Sequence, residues 1–384
     1  MKKIIFLIVT IITISCSKKI VNPKDYTYYE PQKLNDGLSV KNISLYNIDK
    51  SKLEALNKSL INQELYNVHS VLVFKDNALF YEKYLCGKDQ KHGKNLGIIK
   101  HDAFTLHDAR SISKSVVSAC IGVAIKKGLI HDVNDAISNY FPEICNNDKK
   151  LKITIKDLLT MTSGLCWKEI GSYNNLLNDE TKMDLSLNPI KFVLNKSAVY
   201  EPGTTWNYSG GNTQVLAEII ERISGQNIEQ FANENIFLPL QITNLEWTRL
   251  SIKKDPAAAS GLRLSSRSLL KFGILYNDSG KFNGNQIIES NWVTSSMSSS
   301  ITRPSLTNLN LQDGSYGFQF WTYNYFVNNR NLRIIEAKGN GGQSIFICQE
   351  LDLVVVITAG NYGEIKYNDI PHKILSDYIL PSLL

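Results

Sequence analysis

No apolar run in this chain approaches the roughly 20 residues that a membrane-spanning helix requires. Its six cysteines, Cys16, Cys86, Cys120, Cys145, Cys166 and Cys348, are widely spaced. They include no C-x-x-C pair and have no companion histidines at metal-ligand intervals. The six histidines form no H-E-x-x-H or similar set. A zinc enzyme is therefore not expected, and neither a metal nor an organic cofactor is implied. Charge of one sign is also scarce. The net value is +6, with lysines and arginines interleaved among acidic residues, which excludes a nucleic-acid partner. Internal repeats and low-complexity blocks are missing as well.

What remains is an ordinary globular composition, 43% hydrophobic and 20% charged over 384 residues, able to bury a sizeable core. At the N-terminus, Lys2 and Lys3 precede a short apolar run that ends at Ser15-Cys16. A basic start, a short apolar stretch and a small residue before cysteine describe a lipoprotein leader, here 1–15, with Cys16 carrying the lipid, the alternatives being ordinary secretion or an uncleaved anchor. Residues 16–40 are polar and turn-rich, as suits a tether, and 41–384 form the body. The expected location is the extracytoplasmic side of a bacterial cell envelope, with the membrane contacted through the anchor. An odd number of cysteines in the body leaves at least one unpaired.

Residues 48–66 read as an amphipathic helix capped by Asp49 or Ser51. VHSVLVFKDN and ALFYEKYL are β-rich runs split by Asp76-Asn77, a hairpin signal. NLRIIEA, QSIFICQ and LDLVVVITAG follow near the C-terminus, and a last amphipathic helix covers about 368–380. Strands at both ends of the chain imply an α/β (α+β) fold. Its antiparallel sheet is built from N- and C-terminal segments and flanked by helices. A mainly helical region, about 104–300, is inserted between the halves.

Ser111-Ile112-Ser113-Lys114 stands where the polar segment His107–Arg110 gives way to VVSACIGVAI. On a helix, Ser111 falls in the first turn and Lys114 one turn on, over the same face. An amine then reaches a hydroxyl that is a poor nucleophile unaided, and backbone N–H groups at the helix start can receive an oxyanion. The S-x-x-K spacing also occurs at Ser15, Ser251 and Ser268, so context separates this copy. The helix is apolar nearly all round, hence buried, and its start opens at the floor of a cleft. Desolvation there favours a neutral, proton-accepting Lys114. The alternative is an N-cap serine beside a surface lysine.

RSISKSVVSACIGVAIKKGLI, IKDLLTMTSGL, EPGTTWNYSGGNTQVLAEII, ASGLRLSSRSLLKFGILY and KGNGGQSIFICQELDLVVVITAG occur in that order. Together they resemble the serine β-lactamase and penicillin-binding protein superfamily over about 45–384. The likeness is nearest to its class C-related esterases, D-aminopeptidase-like enzymes and 6-aminohexanoate-dimer hydrolase-like amidases. The resemblance implies that Ser111 is the nucleophile and that Lys114 moves its proton. In the second family element, Y-x-N, the matching residues are Tyr208-Ser209-Gly210. Tyr208 is then a proton carrier whose phenolate a nearby Lys114 would favour. Gly210 departs from the pattern, and Asn212 is a candidate substitute.

The third element, K-T-G or H-T-G on an edge strand, is matched by Ala337-Lys338-Gly339. The usual cation is missing, and Lys338 is expected to point away from the site. Gly339 lets substrate approach, and the N–H of Asn340, or of Gly342 after a two-residue slip, would complete an oxyanion hole with that of Ser111. Met161–Leu165 and the loop Cys166–Asp184 are expected over the cleft, with Trp167 and Tyr173 as candidate substrate surface. Arg263 and Arg267 fall in a block read as structural. These features imply a serine hydrolase of short peptide, amide or ester substrates. The alternatives are a β-lactamase or D-alanyl-D-alanine carboxypeptidase, or a non-catalytic envelope binding lipoprotein.

Overall fold

Leu353–Ala359 is apolar on both faces, and the fold uses each face differently. Val354 and Val356 enter one hydrophobic core, while Leu353, Val355, Ile357 and Ala359 enter another. The computed structural model describes residues 28–144, 148–169, 173, 175–298, 300–302 and 312–384. The leader, Cys16, the tether as far as residue 27, and Cys145 lie outside the described residues.

In chain order the strands are β1 (Val68–Lys75), β2 (Ala78–Tyr84), β3 (Cys86–Lys91), β4 (Lys94–Lys100), β5 (Leu106–Asp108), β6 (Leu245–Trp247) and β7 (Leu262–Ser265). They continue with β8 (Lys281–Phe282), β9 (Asn285–Gln286), β10 (Ile301–Thr302), β11 (Gln312–Tyr316), β12 (Trp321–Val327), β13 (Arg330–Gly339), β14 (Gln343–Cys348) and β15 (Leu353–Ala359). Eight of them form one antiparallel sheet in the order β10-β11-β12-β13-β14-β15-β1-β2. The β1–β15 pair joins the two ends of the chain, as the strand pattern implied. Asp76 and Asn77 both take positive φ, 48° and 60°, which is the tight hairpin turn their types favour.

The longest described helices are α1 (Lys50–Ile61), α2 (Ile112–Lys126), α3 (Gly210–Ser224) and α4 (Ser266–Asn277). Asp49, not Ser51, caps α1, accepting the Ser51 N–H at 3.0 Å. That helix and the C-terminal segment Ile370–Leu383 cover one face of the sheet, through Leu53, Leu56, Leu60, Ile374, Ile379 and Leu380. On the other face α4 lies against β14 and β15, and α2 is buried from Ile112 to Ala124. Burying each of its valines and isoleucines contributes roughly 1.5–3 kcal/mol, so α2 is fixed as the central beam of the helical side.

The inserted region is not wholly helical. β5, β7 and β6 make a three-stranded sheet, and β8–β9 is a hairpin. These strands run for two to four residues, too short to show an alternation in sequence. Arg263 and Arg267 hold this architecture together. Arg263 on β7 donates to Asp108 on β5 at 2.8 Å and to Glu246 on β6 at 2.6 Å. Arg267 on α4 binds Glu82 at 2.6 Å and Asp36 at 3.0 Å. Among the described cysteines, Cys120, Cys166 and Cys348 are free thiols.

Close packing of α4 depends on Gly273, where a Cβ would stand 2.6 Å from Val354 and 2.7 Å from Ile345. Gly273→Val is expected to lift the helix from the sheet and cost about 1–3 kcal/mol, read as a lower urea midpoint with an unchanged slope. An unaltered midpoint would show that the helix–sheet contact is looser than this.

Candidate active site

Ser111 stands immediately before α2, yet its side chain makes no capping hydrogen bond. The hydroxyl is therefore free for another partner. The turn that presents it is tight: Arg110 takes φ +50°, a region costly for a residue with a Cβ. It is held on both sides. Ala109 N–H donates to Leu262 O at 2.9 Å, and the Ser113 hydroxyl donates to Arg110 O at 2.6 Å. Ser111 is left half-buried.

Lys114 is only 1% exposed, and its Nζ lies 3.1 Å from Ser111 Oγ and 3.0 Å from Ala259 O. The other described S-x-x-K copies do not do this. Lys254 bonds the carbonyl of Ser251 at 2.6 Å, and Lys271 turns to Gln241 O at 2.8 Å. Tyr208 comes from a distant segment, and its ring centroid is 4.9 Å from Lys114 Nζ. Its ring is stacked on Trp321 at 5.7 Å, an aromatic support that nothing in the local sequence signalled. Burial first, then the charge of Glu169, pushes the Tyr208 phenol well above its ordinary value, while Ser111 pulls the other way. The surroundings thus favour the phenol over the phenolate that a neighbouring lysine was expected to favour.

Gly339 is the last residue of β13, and a Cβ there would lie 2.3 Å from Ala109 O. Only glycine lets the strand end approach the nucleophile turn so closely. β13 is interior in the sheet order, but β12 stops pairing at Trp321–Glu336, so Ala337–Gly339 pair on one side only. This stretch is locally an edge. Ala337 faces the helical core, while Lys338 reaches His372 on the opposite side, its Nζ 3.1 Å from Nε2. Asn340 follows in the turn, its side chain accepting Gly363 N–H at 2.9 Å. Gly342 is in the same turn at φ +91°.

Two candidates sit elsewhere than expected. Asn212 is fully buried on α3 and accepts the Ser163 hydroxyl at 2.9 Å, so it does not replace the amide missing at Gly210. Trp167 is 5% exposed and packs on the start of α3, where a Cβ at Gly211 would meet its ring at 2.7 Å. Its indole N–H donates to Glu169 at 2.8 Å, so it orients a carboxylate instead of presenting surface. Tyr173 is partly exposed, and its hydroxyl donates to the other oxygen of Glu169 at 3.2 Å.

The space beside Gly210 is taken by two glutamates that the sequence reading passed over. Glu169 Oε2 accepts the Gly210 N–H at 2.7 Å, at the positive end of α3. Glu180, 7% exposed, accepts from Ser260 at 2.7 Å, and a Cβ on Gly210 would lie 2.6 Å from its Oε2. Burial, then the charge of Glu180, pushes the Glu169 carboxyl up to about 8. Burial opposes ionisation of Glu180 too, but the charge of Lys114 and hydrogen bonds from Glu169 and Ser260 outweigh it and hold that carboxyl below its ordinary range. The pair therefore carries one proton between its members and titrates as a unit. No spacing rule points to Glu169 and Glu180, and the one available signal was the loss of a side chain at Gly210.

A family model described as beta-lactamase matches residues 67–370. The Bacillus subtilis protein PbpX, provisionally described as a penicillin-binding protein, is 27% identical over 195 residues, covering 51% of this chain and 45% of that one. The chain thus spans less than half the length of that curated relative. A Bacillus anthracis protein provisionally described as a 6-aminohexanoate-dimer hydrolase superposes with a TM-score of 0.64 at 20% identity, covering 94% of this chain and 88% of the other. A family VIII carboxylesterase gives 0.63 at 14% identity, covering 84% and 96%.

Glu169→Gln tests the shared proton. A carboxyl raised above its ordinary 4.5 supports the fold fully below that pH, and its contribution fades as pH rises through about 8. Melting temperatures of the wild type are expected to fall relative to the variant across that window. Parallel curves would mean that the two carboxyls do not share a proton.

Proposed function

The chain belongs to the beta-lactamase family, and from that premise we propose that it cleaves an ester or amide bond through a covalent acyl-Ser111 intermediate. The observation that carries this reading is the 3.1 Å approach of the buried Lys114 amine to an uncapped Ser111 hydroxyl. In the reactive form Lys114 has given up its proton, and Ser111 Oγ attacks the carbonyl carbon while handing its own proton to that amine. Backbone N–H groups of Ser111 and of Asn340, across the gap narrowed by Gly339, take the oxyanion. The Tyr208 phenol gives its proton to the leaving alcohol or amine, and the Lys114 ammonium restores it. A water then attacks the acyl carbon by the same route in reverse, releasing the acid and regenerating Ser111.

Three features argue for a substrate without a carboxylate near the scissile bond. Ala337 offers no cation, Lys338 is committed to His372, and Glu169 with Glu180 makes the Gly210 side of the cleft acidic. Among the described residues, Glu180 Oε2 is buried with no N–H or hydroxyl donor apart from the carboxyl shared with Glu169. A substrate carrying an N–H or amine beside its acyl group would meet it favourably. The leader pattern at 1–15 and the cysteine at 16 support attachment to the outer side of a bacterial membrane by lipid.

Turnover of p-nitrophenyl butyrate is expected to fall at least roughly a thousandfold in Ser111→Ala, and about a hundredfold or more in Tyr208→Phe. Equal rates in wild type and Ser111→Ala would end the hydrolase reading. Prompt stoichiometric labelling of Ser111 by a tagged penicillin would redirect it to a penicillin-binding or β-lactamase activity.

A further inference from the structure

Away from the cleft, three histidines and an aspartate meet in the interior. His69 is on β1, Asp89 on β3, His101 just beyond β4 and His107 on β5. They are 0%, 4%, 3% and 0% exposed, and one ligand atom from each lies within 4.8 Å of the others. The rings are layered, with His69 and His101 centroids 3.8 Å apart and His101 and His107 4.9 Å apart. Room for His69 is made by Gly87 and Gly360, where a Cβ would stand 2.6 Å and 2.7 Å from its ring.

The outer hydrogen bonds decide which atoms face inward. His69 Nε2 is 3.0 Å from Lys88 O, and His101 Nδ1 is 2.9 Å from Leu85 O. A carbonyl only accepts, so those two nitrogens carry the hydrogens. In neutral rings, His69 Nδ1 and His101 Nε2 are then lone pairs. The first faces His107 Nδ1 at 3.5 Å, and the second faces Asp89 Oδ2 at 3.3 Å. His107 Nε2 is directed at the Thr358 hydroxyl, 3.4 Å away. Asp89 Oδ1 is already supplied by Gln90 N–H at 2.8 Å and by the Tyr362 hydroxyl at 3.3 Å, which leaves Oδ2 pointing inward.

Acceptors converging on acceptors in a dry interior repel unless a cation stands among them. We propose that His69, Asp89, His101 and His107 form a closed four-ligand site for a zinc ion. Three imidazoles and a carboxylate suit zinc, while calcium and magnesium prefer all-oxygen shells. The 3.5 Å and 3.3 Å separations are near the edge of a tetrahedron with bonds of roughly 2.0–2.1 Å, and a modest closure brings in the rest. Each ring also holds its far nitrogen against an oxygen, the outer support that fixes the ligating tautomer. With no position left for water, the ion is structural. It would clamp the β3–β4 hairpin to β1 and to β5, the strand that leads directly into Ser111. Sequence intervals concealed the set because its members come from separate segments of the hairpin and sheet.

Protons offer a metal-free arrangement of the same residues: His101 doubly protonated against Asp89, with His107 Nδ1–H donating to His69. Elemental analysis and cobalt substitution of the purified protein separate the two. About one zinc per chain is expected after dialysis, with a melting temperature that falls in chelator and recovers with zinc chloride. Cobalt(II) added to the chelated protein is expected to give the visible spectrum of a tetrahedral nitrogen-rich site. Asp89→Asn and His101→Gln, checked for folding by circular dichroism, should lose that spectrum. If neither variant folds, the wild-type zinc content and cobalt spectrum still decide. A folded wild type that holds no metal and whose melting ignores zinc would overturn the proposal in favour of the proton arrangement. Folded variants that retain a full equivalent would overturn it by placing the ion elsewhere.

Discussion

An amine buried at the foot of an apolar helix is the constraint around which the rest of this molecule is arranged. Lys114 is 1% exposed, and isolating its charge from water would be costly without compensation. The chain compensates with Ser111 Oγ, with Ala259 O and with the negative charge shared by Glu169 and Glu180. Each comes from a different segment. Bringing them together requires α2 to run through the centre of the helical side, and the apolar residues from Val116 to Ala124 anchor it there.

The carboxyl pair also changes the charge beside Gly210 and Lys114. Where an asparagine side chain would stand in the family's second element, this chain has the bare backbone of Gly210 and two glutamates. Trp167, Tyr173 and the α3 N-terminus supply donors to Glu169, so the acid is held in place by its own shell. The opposite wall is correspondingly plain. Ala337 and Gly339 present a one-sided strand end, and the only nearby lysine on it is turned under the sheet towards His372 and Glu336.

Much of the scaffold was legible because it follows from short-range rules. Asp76-Asn77 announced the hairpin by residue type, and the β1, β2, β14 and β15 segments announced themselves by composition. The α1 cap at Asp49 and the end of α2 before Gly128 are local as well. The short strands β5, β6 and β7 were not readable, since three or four residues carry no period. Asn212 was misjudged for a related reason. It lies two residues from Gly210 in sequence, but on a helix that step turns the side chain to another face, into the buried contact with Ser163.

Read alone, the order of the motif blocks and the sheet's two-ended strand pattern were enough to determine the family resemblance and the antiparallel sheet, and they nominated Ser111, Lys114 and Tyr208. Only the tertiary structure decided that Ser111 spends no hydroxyl on its helix, that Glu169 and Glu180 meet beside Gly210, and that three histidines and Asp89 converge. The physical reason is the same in each case. Spacing rules describe groups one turn or one pleat apart, whereas these contacts join residues from separate elements, and only packing determines which of their polar atoms face one another.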